Sequence, residues 1–193
     1  MADNSPDAVS VSNPVTGVSL HPVPDDERAA EIRLVPGAQG PAEHVHRRSE
    51  ERFEVRKGTV TFRADGRERE LTPDTEIRVS SGTPHTFRND SAVEASMYVR
   101  TVPQSDRLGE VVVTLFGLAH DGKVDERGRP SFLRAMAMAE ATLDETYFTG
   151  VPYGVQKALG ETFGPLARAL GYEPTEDRYL DEAFWRERAD EVG

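Results

Sequence analysis

The chain has 193 residues, a formal net charge of −11, no cysteine, and three lysines (Lys57, Lys123 and Lys157) among its 23 basic residues. That length suits one domain with an appendage and leaves no room for two large domains. Without cysteine there can be no disulfide, thiolate metal site or cysteine nucleophile, and the acidic balance repels phosphate backbones and anionic membranes, so neither nucleic acid nor membrane is an expected partner.

In chain order, residues 1–13 read as a flexible polar tail without a secretory apolar core. No stretch has the length to cross a bilayer, and the expected location is the cytoplasm. Short strands are expected over residues 14–20 and 30–35, followed by a loop marked by Pro36, Gly37, Gly40 and Pro41. His44 and His46 then stand one residue apart, which on a strand aims both at one face and Val45 at the other. Glu51 opens a second strand in which Glu51, Phe53 and Val55 share a face, while Arg52, Glu54 and Arg56 share the wet one. Gly58 ends it at a tight turn that asks for positive φ.

Asp65-Gly66 is a hairpin signal between strands over 59–64 and 67–71. Further strands are expected over 75–79, 86–89 and 92–102, with Val93, Ala95, Met97 and Val99 facing one way. Many short strands at even spacing read as a mainly β architecture, a barrel or double-sheet jelly roll, over 14–104. From residue 105 the pattern turns helical. Phe132, Met136, Ala139, Leu143 and Tyr147 recur at helical steps, as do Val155, Leu159, Phe163, Leu166 and Leu170 in a helix over 152–170. A third helix over 180–192 is mostly charged, with Phe184 and Trp185 as its apolar contacts. This extension, 105–193, is expected to pack on the barrel or on a second copy of the chain, and its two apolar stripes favour a homodimer.

Chemistry concentrates in His44, His46, Glu51 and His85. Three imidazoles and a carboxylate suit a divalent transition metal: iron, manganese, nickel, cobalt, copper or zinc. Glu50 stands beside Glu51 as a rival carboxylate. Isolated His120 and His21 carry no comparable pattern; His21 lies in a proline-bounded loop and His120 where a helix meets Asp121-Gly122.

These residues resemble the cupin family. Its first motif, HxH, a short gap, Glu, six residues and Gly, is matched by His44, His46, Glu51 and Gly58. Its second is matched by Gly82, His85 and Asn89, with Ser80 standing at the motif's proline. The resemblance implies a single cupin β-barrel with an α-helical C-terminal extension, and His44, His46, Glu51 and His85 as metal ligands. Strand parity adds a mainly apolar pocket of Phe53, Phe62, Ile77, Phe87 and Met97 with Asn89 as a polar handle. No arginine is aimed inward, so the expected ligand is a largely neutral small molecule whose oxygens reach the metal. The leading expectation is a metal-dependent dioxygenase of the quercetinase-like type with Glu51 doubling as base; a non-catalytic binding or sensing module and a metal-dependent isomerase are the alternatives.

Overall fold

The computed structural model describes residues 9–190 apart from 25 and 27. In chain order the elements are β1 (Val11–Asn13), β2 (Val18–Pro22), β3 (Ala29–Leu34), β4 (His44–His46), β5 (Glu50–Lys57), β6 (Val60–Ala64), β7 (Arg67–Leu71), β8 (Glu76–Val79), β9 (His85–Arg88), β10 (Ala95–Val102), α1 (Asp106–His120), α2 (Phe132–Thr142), β11 (Thr146–Phe148), α3 (Tyr153–Ala169), α4 (Asp177–Leu180) and α5 (Glu182–Asp190). The strands form two antiparallel sheets. One is ordered β1-β2-β3-β10-β5-β8 and the other β11-β4-β9-β6-β7.

Alternating side chains drive this arrangement. In β5, Glu51, Phe53 and Val55 are buried while Arg52 and Arg56 are exposed. The outer arginines pair with Glu76 and Glu54, and such exposed pairs contribute little to stability. The inner faces of both sheets bury Leu34, Phe53, Val55, Val60, Phe62, Ala95 and Met97 in one core. The β6–β7 hairpin closes through Asp65 and Gly66, both at positive φ, as a two-residue turn of the primed kind requires. At Gly58, also at positive φ, an added Cβ would meet the Glu94 carbonyl at 2.6 Å.

Several expectations are corrected. Residues 1–8 of the expected tail lie outside the described residues, but Val11–Asn13 is a strand paired with β2. Asn13 then accepts from the backbone N–H of Val15 and Thr16, turning the chain at the place where the first strand was expected to begin. His21 sits in β2 and not in a loop. Val93 precedes β10 and is exposed.

The extension differs most. Helix α2 stops at Thr142, and Tyr147 belongs to a strand, β11, that joins the barrel. Helix α3 buries Gly160, Gly164 and Ala167, leaving Val155, Leu166 and Leu170 exposed. The cause is steric. A Cβ at Gly164 would lie 2.7 Å from Glu140 Cβ, so α3 turns its small residues to α2 to let the backbones close up. Helix α1 docks α4 and α5 through Gly117, which lies against the ring of the fully buried Tyr179. Among the described residues, no helix is long and apolar enough to cross a membrane.

Candidate metal centre

Strand β4 carries His44 and His46, β5 carries Glu51 and β9 carries His85. Register brings them together: His44 lies opposite His85 across β4 and β9, and Glu51 lies near the start of β5 where the facing sheet closes over them. All four side chains are buried. One donor atom from each lies within 4.8 Å of the other three. The imidazole centroids are 4.9 Å apart for His44 and His46, 4.3 Å for His44 and His85, and 5.5 Å for His46 and His85.

The hydrogen bonds fix which nitrogens face inward. His44 Nδ1 lies 3.0 Å from the Ala42 carbonyl and His85 Nδ1 3.1 Å from the Thr83 carbonyl. A carbonyl only accepts, so each Nδ1 donates its proton and Nε2 keeps the lone pair. His85 Nε2 nevertheless lies 2.8 Å from Glu51 Oε2, and His46 Nε2 3.3 Å from the same oxygen. A lone pair facing a carboxylate oxygen at that distance is satisfied by a proton or by a cation. Cis ligands on one transition metal stand roughly 3 Å apart when each bond is near 2.1 Å, so these separations fit a shared ion.

Burial pushes the His44 imidazole down to about 3, reinforced by the neighbouring His85 and His46, so it is held in its neutral, ligating form. For Glu51 burial acts to raise the carboxyl, but the hydrogen bonds and positive charge of His46 and His85 in the form that carries a proton on Nε2 together outweigh it and hold the group below its ordinary range.

Thr101 was not foreseen. Its Oγ1 donates to Glu51 Oε1 at 3.1 Å, from a position in β10 directly opposite Glu51. The signal was present, since Thr101 continues the inward parity of Met97 and Val99, but a lone threonine near a strand end carries no pattern of its own.

The expected pocket divides into three groups. Phe53 and Phe62 flank His85, with ring centroids 6.1 and 6.3 Å from the imidazole, and Ile77 sits opposite Phe53 on β8. Phe87 packs behind them against Phe53 and Phe62. Met97 is four residues along β10 from Thr101, about 14 Å at strand spacing, and is floor of the core, too distant to line the site. Asn89 is not a polar handle. Fully buried, it donates from Nδ2 to the carbonyls of Leu34, Val35 and Val93, and its Oδ1 accepts from the backbone N–H and hydroxyl of Ser91. Its role is to tie the 34–35 and 91–93 segments together. His120 lies beside Ser12 and the Trp185 ring, away from the centre.

Residues 30–100 match the family model for Cupin_2, the cupin domain. This part of the chain is a cupin domain, joined to a C-terminal extension of helices and one strand. Among solved structures it is similar to TT1209 from Thermus thermophilus, at 28% identity over 54% of this chain and 91% of that one, with a TM-score of 0.42. It is also similar to a cupin-superfamily sugar phosphate isomerase from Silicibacter pomeroyi DSS-3, at 20% identity over 52% and 74%, TM-score 0.46, and to an RmlC-like cupin from Shewanella frigidimarina NCIMB 400, at 17% over 55% and 95%, TM-score 0.45. No curated protein matches the chain.

Proposed function

We propose that the protein is a metal-dependent enzyme of dioxygenase type, quercetinase-like in its chemistry, acting on a largely neutral small molecule that presents an enol or diketone oxygen. The observation that carries this reading is the convergence of His44, His46, Glu51 and His85 within 4.8 Å in a buried setting. Four protein ligands on an ion that prefers six leave room for a chelating substrate. When bound, a divalent transition metal supplies Lewis acidity toward a substrate oxygen.

The chain's own residues do the rest. Backbone carbonyls of Ala42 and Thr83 orient two imidazoles, holding their Nε2 lone pairs inward. Glu51 is oriented by Thr101, and we assign it the base role, taken up when the carboxylate leaves His46 and His85, whose contacts hold its proton affinity down. Phe53 and Phe62 keep water from the His85 side. Arg52 and Arg56 lie on the outer face in pairs with Glu76 and Glu54, so neither meets a dianionic substrate.

A second reading, a binding module without turnover, is favoured by one feature: Phe53, Phe62 and Met97 are almost fully buried and leave the barrel floor filled. Elemental analysis of protein purified without added metal, beside His44→Ala and Glu51→Ala, tests the ligand set; the wild type should retain about one ion per chain and each variant should lose it. Oxygen uptake by iron-, manganese- and nickel-loaded protein with enolic compounds then separates the two readings. Metal retention without uptake on any of them would end the oxygenase proposal and leave the binding module.

A further inference from the structure

Strand β11 is the piece of the extension that the barrel takes into its own sheet. The antiparallel register sets Thr146 opposite His46, Tyr147 opposite Val45 and Phe148 opposite His44. Directly opposed residues of an antiparallel pair point to the same face, with Cβ atoms about 4.5–5.5 Å apart. Thr146 and Phe148 therefore stand on the face that carries the imidazoles. Tyr147 takes the outer face, where its ring meets Tyr153 at 5.2 Å. Across three strands one row reads Phe148, His44, His85.

Two observations give those positions chemical meaning. Thr146 Oγ1 is buried and hydrogen-bonds to nothing among the described residues, which costs stability that a valine of the same shape would not. Phe148, although paired with a buried imidazole, is 52% exposed, which puts it at the rim between barrel interior and solvent. The strand is firmly held. Gln156 accepts from the Phe148 N–H and donates to its carbonyl at 2.7 Å, Thr149 donates from both its N–H and its hydroxyl to Glu43, and the Arg47 N–H donates to the Glu145 carbonyl at 2.7 Å.

We propose that β11 is a specificity wall of the metal-centred site. The Thr146 hydroxyl hydrogen-bonds an oxygen of the ligand seated at the imidazoles, and Phe148 packs on an aromatic substituent of the same ligand. The ligand class is an aryl-bearing oxygen chelate. This inference rests on the metal-centre reading above and makes the extension part of the site as well as its cover.

The experiment uses the full chain loaded with cobalt(II), whose visible absorption reports both ion and ligand, titrated with acetylacetone and benzoylacetone. Wild-type protein is expected to prefer benzoylacetone about tenfold, the worth of one aromatic contact. Phe148→Ala should abolish that preference and leave acetylacetone binding within about twofold. Thr146→Val should weaken both ligands by about fivefold or more while the metal-free protein melts at the same or a higher temperature; Thr146→Ser should bind as wild type. A preference that survives Phe148→Ala, an affinity that survives Thr146→Val, or a cobalt spectrum that responds to neither diketone overturns the proposal alone. Absence of cobalt absorption in the wild type instead brings down the metal-centre reading together with it.

Discussion

Thr101→Val isolates the contribution of one hydrogen bond to the metal centre. The substitution keeps the branched shape that β10 accommodates and removes the hydroxyl that donates to Glu51 Oε1 at 3.1 Å. Hydrogen bonds to charged acceptors contribute about 1.5–3 kcal/mol. The lower figure applies, because Glu51 Oε2 keeps its contacts with His85 and His46 at 2.8 and 3.3 Å. About 1.5 kcal/mol corresponds to roughly a tenfold loss of metal affinity. Competition against a chromophoric chelator measures it, with zinc or cobalt as the ion. Thr101→Ser should restore most of the affinity, and the melting temperature of the metal-free protein should change little. An affinity for Thr101→Val within about twofold of wild type would show that the hydroxyl does not orient the carboxylate.

Three other outcomes are expected. Asn89→Ala strips the partners from the carbonyls of Leu34, Val35 and Val93, and urea unfolding should register a loss of about 3 kcal/mol or more; under about 1 kcal/mol would mean that water replaces the side chain freely. Gly117→Ala would place a Cβ 2.2 Å from Tyr179 Cδ1, and that ring cannot retreat easily, since its hydroxyl donates to Asp121 and its carbonyl accepts from Trp185 Nε1. A cost of about 2–3 kcal/mol is expected, with a red shift in the fluorescence of the lone tryptophan, Trp185, as α4 and α5 lift from α1; unchanged emission would contradict that docking. Finally, Phe132, Val151, Val155, Leu166 and Leu170 are each at least 42% exposed on the extension, and a second copy of the chain is their expected cover. Light scattering should give the mass of two chains, falling to one in the Leu166→Glu, Leu170→Glu double variant; a monomeric wild type would refute it.

The sequence by itself determined what depends on local rules. Period-two alternation set the inner and outer faces of β5, and the Asp65-Gly66 and Gly58 turns followed from the need for positive φ. The spacing of His44, His46, Glu51 and His85 was enough to single out the residues that converge, because strand parity is preserved wherever no bulge intervenes. Only the tertiary structure decided which neighbours those residues meet. Thr101 meets Glu51, and Thr146 comes to stand opposite His46, through cross-strand register, a relation between distant segments that no local pattern encodes. Asn89 was drawn to the pocket by its place in a motif, yet its amide is consumed by carbonyls from two other segments. Helix α3 carried a clear apolar stripe, and close packing against α2 selected the glycine face instead. Periodicity reports which residues share a face; which face is buried depends on how closely two backbones can approach, and that is settled by their partners in space.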